Sequence, residues 1–422
     1  MKMTILGKLN SFQNQETISL LINIIGFCFL IAKIILTKTS YTYDEPLHLK
    51  TVELLNHYGL SLQFLKGTDV SAPGPLYAIV HYLLQGITHL QVPGIRLVNI
   101  SFLFLIIVIL VYTFRQMKYK KLWFLSFGIM SVPIIWPISG MALTEIPAML
   151  FACLSILLLL VALESKNNFS SLLLSLLAGG FFGLSILGRQ TFLVMLLALP
   201  LLTVPSPNNT NQNSRWKYIF IFLTTAIIMP AIQFYIWGGL LPPGQAGIST
   251  GFSITHGLLS LSYAGIAMLI LAPNWFSLEW KFNVQIFLIT LLLNLIFGLV
   301  DIKPAMSLAQ RFLSDGFQTI YSRGASSFIL AIGIIFCIST IKNMWNNRND
   351  NVFLFLCFSM LLLVLSSIKI THLFSSRYTA TSVPFMLLVS AKYNQYQESY
   401  WKIPRVAFGN ILGFLTLASY LN

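Results

Sequence analysis

The sequence is short of charge. Asp, Glu, Lys and Arg make up 9% of its 422 residues, where a soluble domain carries about 25%. Together with 56% hydrophobic residues and a mean hydropathy of +0.78, that shortage excludes a soluble globular domain. Cysteine is scarce too. Cys28, Cys153, Cys337 and Cys357 all lie in apolar segments and none forms a CxxC pair. This excludes a disulfide framework or a thiolate metal centre, and leaves the four as small core hydrophobes. Acids are fewer than bases, 12 against 26, for a net charge of +14. No soluble basic segment exists to carry nucleic-acid binding. The short alternating strands of a membrane β-barrel are missing, as are a GxxxxGK[ST] loop and a glycine-rich strand-to-helix turn.

What the chain has is apolar runs of about 20 residues from end to end, the pattern of an all-α polytopic membrane protein. Helices are expected at roughly 17–38, 95–115, 121–138, 142–164, 170–187, 190–205, 217–237, 254–272, 283–300, 327–343, 352–369, 378–392 and 404–421, about thirteen in all. The first lacks a small-residue cleavage site and is expected to remain as a membrane helix. With the N-terminus in the cytoplasm, the connections 116–121, 165–169, 206–216, 273–282, 344–351 and 393–403 are cytoplasmic. They or their edges hold Arg115, Lys118, Lys120, Lys121, Lys166, Arg215, Lys217, Lys281, Lys342, Arg348, Lys392, Lys402 and Arg405, as the positive-inside rule requires. All six histidines (His48, His57, His81, His89, His256, His372) then lie outside. So do Asp44, Glu45, Glu53, Asp69, Glu145, Asp301 and Asp315.

Residues 39–94 form the largest outer segment. Asp44 to Tyr58 reads as an amphipathic surface helix, Ser71-Ala-Pro-Gly-Pro75 as a break, and Leu76 to Gln85 as a second short helix. The polar stretch 206–216 reads as a cytoplasmic linker between an N-terminal transmembrane module, 1–205, and a C-terminal one, 217–422. Asn99, Asn168 and Asn208 match a glycosylation pattern, but fall in a helix or on the cytoplasmic side.

The outer face carries the candidate chemistry. Asp44 and Glu45 follow the first membrane helix. Acids there complement a helix dipole, and a carboxylate held at a helix start can also take a proton from a hydroxyl. Adjacent side chains point apart, so one of the two is the expected base. Glu145 is the only acid in a long apolar region, either an interfacial residue or a second site carboxylate. Arg189 breaks the positive-inside trend, as a snorkelling residue or as a fork for phosphate. Arg323, in the expected loop 301–326, and Arg377 with Tyr378 are further outer candidates for phosphate contact or interfacial anchoring. His256 opens a helix next to the turn-rich loop 237–245.

These elements resemble the GT-C superfamily of membrane glycosyltransferases, which use polyprenyl-phosphate sugars on the outer or lumenal face. The likeness is nearest to the family that adds the terminal α-1,2-glucose to the dolichol-linked oligosaccharide. Its Asp-Glu-x-x-His element is matched by Asp44-Glu-Pro-Leu-His48. A Pro-Gly-Leu-Tyr-like segment is matched by Pro73-Gly-Pro-Leu-Tyr77, with Pro75 interrupting. An Arg-Gln-Thr-Asn segment is matched by Arg189-Gln-Thr-Phe192, with Phe192 in place of asparagine, and a Trp-Asn-Gly-Gly-like loop by Trp237-Gly-Gly239.

The resemblance implies inverting sugar transfer to a hydroxyl acceptor, with Asp44 as general base and Glu45 or His48 orienting it. It implies Arg189, Arg377 or Arg323 at the donor phosphate. Tyr77, Gln190, Trp237, His256 and Tyr378 become candidate contacts to donor or acceptor. The expected partners are a polyprenyl-phosphate-linked sugar, a hydroxyl acceptor and the bilayer, with no nucleic acid. No cofactor or metal ligand set is required, although a divalent cation is compatible. The expected location is a bacterial inner membrane or the endoplasmic reticulum membrane. The rival readings are a transporter or flippase of lipid-linked sugars and a structural membrane protein. Transporters place polar sites near the midplane, often in paired halves, whereas here the polar groups gather at outer helix ends and no repeat is visible. The enzyme reading requires Asp44, Glu145 and Arg189 to share one outer site.

Overall fold

The structure, a computed structural model, describes residues 2–68, 73–204, 212–246, 251–302, 310, 314–394 and 401–421. Asp69, Ser71, Ala72, residues 206–211 of the expected linker, Lys303 and Arg311 lie outside the described residues. The chain begins with α1 (Lys2–Leu36). The outer segment folds into α2 (Glu45–Tyr58), α3 (Leu62–Gly67) and α4 (Leu76–Thr88), followed by α5 (Gly94–Gln116) and α6 (Ile135–Gly140). Next come α7 (Glu145–Glu164), α8 (Asn168–Gly188), α9 (Gln212–Trp237), α10 (Pro243–Ala246), α11 (Ile254–Leu271) and α12 (Trp280–Phe297). The last are α13 (Asp315–Asn346), α14 (Asn351–Leu365), α15 (Arg377–Ala380), α16 (Val383–Ser390) and α17 (Lys402–Leu421). No strand occurs among the described residues. Nine helices among them are long and apolar enough to cross a membrane, and the protein is an integral multi-pass membrane protein.

Four of the thirteen expected spans are not among these nine: 404–421 is a helix, α17, that falls short of them in apolar character, and three others take different forms. The segment expected at 121–138 is a 3-10 helix, Lys120–Ser131, then a turn and α6. Pro133 causes the break: it has no N–H, and the residue before it, Val132, is extended at φ −94°, ψ 109°. Residues Gln190–Thr203 are also wound as a 3-10 helix. At about 2.0 Å per residue such a helix reaches roughly 28 Å over fourteen residues, close to the hydrocarbon thickness of about 30 Å. The segment expected at 378–392 divides into α15 and α16, with Pro384 in the first turn of the latter. In the other direction, α13 extends outward to Asp315, so Arg323 lies on a helix and not in a loop.

Polar side chains tie the helices together. Ser155 Oγ of α7 donates to the Ala178 carbonyl of α8 at 2.7 Å. Ser260 of α11 and Thr379 of α15 share a hydrogen bond of 2.8 Å, and Asn294 of α12 donates to Ser327 of α13 at 3.0 Å. Small polar groups of this kind serve as glue where lipid tails give no hydrophobic drive for helix association. The helix α7 lies at the centre, with 67% of its apolar stretch buried, while α12 is peripheral at 17% and turns its leucines and isoleucines outward.

One close approach positions the outer surface. The start of α4 presses on the end of α8. A Cβ on Gly74 would strike the Leu187 carbonyl oxygen, and a Cβ on Gly188 would lie 2.7 Å from Leu76 Cδ2 and 2.8 Å from Ala148 Cβ. The contact seats the Pro73–Tyr77 segment directly before Arg189. Gly188→Ala is therefore expected to lower stability by about 1–3 kcal/mol through overpacking. Thermal unfolding in detergent measures this, and an unchanged midpoint would contradict the packing.

Candidate functional site

The first structural fact about the outer face is a split between adjacent acids. Glu45 opens α2 and is wholly buried. Arg96, also wholly buried, approaches it side-on. Arg96 Nε donates to Glu45 Oε1 at 2.8 Å and Nη2 to Oε2 at 2.7 Å. The Ala142 N–H donates to Oε1 and the Thr42 N–H to Oε2, each at 2.8 Å. Arg96 also donates to the carbonyls of Ser40 at 2.9 Å and Thr39 at 3.3 Å. One turn along α5, Asn99 donates to the carbonyls of Met141 at 2.8 Å and Leu143 at 2.9 Å. The Glu45–Arg96 pair thus joins three pieces of chain: the start of α2, the outer end of α5 and the 141–144 turn that precedes α7.

That frame sets two other acids. Asp44 is the N-cap residue of α2, but its side chain caps nothing. Its carboxylate instead meets Arg377, with Oδ2 2.6 Å from Nη1, and is 32% exposed. Glu145 is the first residue of α7 and wholly buried. Its Oε1 pairs with Arg189 Nη2 and lies 3.5 Å from Arg377 Nε. Its Oε2 is buried with no hydrogen-bond partner among the described residues. Tyr378 lies between the two cations, each guanidinium carbon 5.4 Å from the ring centroid. Tyr43 also contacts Arg377, its ring centroid 5.1 Å from the guanidinium carbon, and packs edge-on against Tyr420 at 5.7 Å.

Two carboxylates and two guanidinium groups therefore meet at the outer ends of four segments far apart in sequence. Asp44 is the most exposed of the four. The cluster is neutral overall, so a ligand phosphate entering it competes for guanidinium groups already engaged by carboxylates.

Behind Asp44 the structure builds an aromatic column. The His48 ring is 5.2 Å from Tyr77, which is 4.2 Å from His81. All three are buried. The Tyr77 hydroxyl and both ring nitrogens of His81 have no hydrogen-bond partner among the described residues. Burial lowers the pKa of His48, opposed by Glu145 and reinforced by Arg377. Burial, helped by His48, lowers that of His81 to about 4.

Other residues singled out from sequence are engaged elsewhere. Trp237 donates its indole N–H to the Leu65 carbonyl at 3.1 Å and so fastens α3 to α9. His256 holds the 370 carbonyl through Nδ1 at 2.5 Å, pinning the loop before α15 to the start of α11. Arg323 is exposed and donates to the Leu295 carbonyl at 3.1 Å, which fastens α13 to the end of α12. Gln190 follows Arg189 and is half-buried. Among the described residues no group of three or more His, Cys, Asp or Glu is arranged to hold a metal ion.

Arg96 is a residue of this face that the sequence motifs do not single out. It carried the same signal as Arg189, an arginine at an outer helix end against the positive-inside trend. Asn99 was set aside as a glycosylation match and proves to be the second peg of the 141–144 turn.

Comparison with known proteins adds the following. A family model described as dolichyl-phosphate-mannose-protein mannosyltransferase matches residues 73–235. The match takes in Tyr77, Glu145 and Arg189, begins after Asp44 and ends before Arg377. It is to a mannosyltransferase family and not to the α-1,2-glucosyltransferases that the motifs resemble. Two solved structures are similar, those of ArnT from Cupriavidus metallidurans bound to undecaprenyl phosphate and in the apo state. Each has a TM-score of 0.43 at 11% identity, over 88% of this chain and 76% of that chain. No curated protein matches the chain.

Two measurements test this geometry. Arg96→Met leaves Glu45 buried without its counter-charge and is expected to cost about 3–5 kcal/mol. Glu45→Met with Arg96→Met should recover most of that loss, and simple additivity in the double-mutant cycle would contradict the pairing. The second is pH. In the unfolded chain His81 takes a proton near pH 6.5, but in the fold only near 4. The unfolded state therefore binds more protons between these values, and stability present above pH 6.5 is lost as pH falls toward 4. His81→Leu should flatten the fall in melting temperature between pH 7 and 5, and an unaltered slope would contradict the buried neutral imidazole.

Proposed function

We propose that the protein is a membrane glycosyltransferase that moves a sugar from a polyprenyl-phosphate donor to a hydroxyl acceptor on the outer or lumenal face, with Asp44 as general base. The observation that carries this reading is the convergence of Asp44, Glu145, Arg189 and Arg377 around Tyr378 at one end of the helix bundle. The family match over residues 73–235 supports the coarser part, a GT-C enzyme with a polyprenyl-phosphate-linked donor. On this reading the sugar is a hexose. The motifs resemble a glucosyltransferase family, and the matched family is a mannosyltransferase one.

The chemistry follows from charge. The acceptor oxygen attacks the anomeric carbon as the bond from that carbon to the phosphate oxygen breaks, and its electron pair leaves with the polyprenyl phosphate. Arg377 and Arg189 bear on the phosphate where negative charge develops, the kind of stabilisation that is usually a large part of catalysis. Drawing Arg377 toward the phosphate releases Asp44 Oδ2 from its ion pair. The freed carboxylate then takes the proton that the acceptor hydroxyl loses. Glu145 is too buried to meet the acceptor and keeps the two guanidinium groups together, a positioning role. Glu45 is likewise a positioning residue, since all its bonds run to the frame. Tyr77 and His48 back the site.

Asp44→Asn removes the base without changing shape. Transfer from a short-chain polyprenyl-phosphate hexose, assayed with purified protein in detergent, is expected to fall by about 10²–10⁴-fold while the melting temperature holds. Full activity in this variant would overturn the assignment of the base. Absence of product from the wild-type protein with every donor and acceptor tried, alongside movement of the donor between vesicle leaflets, would favour a flippase.

A further inference from the structure

A second polar site lies at the opposite end of the bundle, which the charge distribution assigns to the cytoplasm. It lies between the first turns of α17, the early part of α1 and the end of α16. Glu16, Ser19, Asn394, Lys402 and Arg405 line a cavity there of about 30 Å³, room for roughly two water molecules. Lys402 pairs with Glu16. Asn394 donates to the Leu271 carbonyl at 3.4 Å, but other polar atoms here lack partners. Arg405 Nε and Nη1, Glu16 Oε2 and Ser19 Oγ are all buried with no hydrogen-bond partner among the described residues. Among the described residues that line it, two cations face one carboxylate, a net positive charge. Buried donors without partners are costly, and the cheapest remedy for surplus cationic donors is an anion.

Along the same seam between α1 and α17 runs an apolar groove of about 340 Å³, lined by Ile22, Ile25, Phe29, Ile411, Phe414 and Leu415. Ile25, Phe29, Ile411 and Leu415 are exposed. Cavity and groove meet at a buried amide pair. Asn410, on the wall of the groove, donates to Asn23, on the wall of the cavity, at 2.9 Å.

We propose that the α1–α17 seam binds an anionic phospholipid of the cytoplasmic leaflet, with two phosphate oxygens in the Lys402–Arg405 cavity and an acyl chain along the groove. A free anion would use the cavity but leave the groove unexplained. An uncharged lipid would use the groove but leave the Arg405 donors unmet. A phosphate attached to a hydrocarbon chain matches both. The bound lipid would fasten α17 to α1; Tyr420 at the far end of α17 packs on Tyr43, in the connection after α1, beside Arg377. This site stands independently of what the outer cluster does.

The test is reconstitution of the full chain in phosphatidylcholine nanodiscs with phosphatidylglycerol as the minor lipid, followed by a count of phosphatidylglycerol retained per chain. The wild-type protein is expected to hold about one above the bulk ratio. Arg405→Gln should weaken retention about tenfold. Ile411→Trp, which fills the groove without touching the cavity, should weaken it independently. Both variants are checked for an intact melting transition. Inorganic phosphate at millimolar concentration should not displace the lipid. Equal retention in the wild type and both variants would overturn the proposal. So would displacement by phosphate alone, which would mark the cavity as a free-anion site, and so would an equal preference for phosphatidylcholine.

Discussion

The outer face depends on one buried ion pair, Glu45 with Arg96. Neither residue reaches solvent. Taking two such charges out of water costs several kcal/mol each, and the fold answers with a dense set of hydrogen bonds. Glu45 accepts from Arg96 twice and from two backbone N–H groups, while Arg96 passes two further donors to two backbone carbonyls. A well-packed apolar pair would stabilise the protein at least as well. What the ion pair supplies is position. It fixes the residue before Glu45, which is Asp44, and through Ala142 it fixes the turn that ends at Glu145.

From that frame follows the electrostatic character of the site. Asp44 and Glu145 reach inward from different elements and are bridged by Arg377, while Arg189 reaches Glu145 from a third. Four charges held so closely in a poorly screened place form a network that a ligand must enter by exchange. On the proposed reading a phosphate draws Arg377 away from Asp44, and this exchange gives the site its order of events, since the base is released by the arrival of the group that will leave. Tyr378 and Tyr43 limit how far Arg377 can move while this happens.

Much of this was legible in the sequence because membranes make charge informative. A residue as expensive as Glu145 or Arg189 in an apolar stretch marks itself, and the distribution of lysine and arginine puts both on one side. Asp44, Arg377 and Tyr378 were found the same way. The division of labour between Asp44 and Glu45 was not legible, because it depends on a partner 51 residues away, Arg96. Trp237, His256 and Arg323 share the residue types of binding sites, yet each is committed to a backbone carbonyl. Sequence shows the type of a side chain and not what it already holds. The helix count was readable by length alone where helices are regular. It was less so at 120–131 and 190–203, where tighter winding lets fewer residues cover the distance.

The central claim is that Arg377 passes from Asp44 to a donor phosphate. Its most direct test is the equilibrium affinity of the purified protein for a short-chain polyprenyl phosphate without sugar. The account predicts that Arg377→Ala weakens binding by about tenfold or more. Asp44→Asn, which removes the competitor for Arg377, should bind the phosphate at least as tightly as the wild type. Equal affinity in the wild type and Arg377→Ala, or weaker binding in Asp44→Asn, would contradict it.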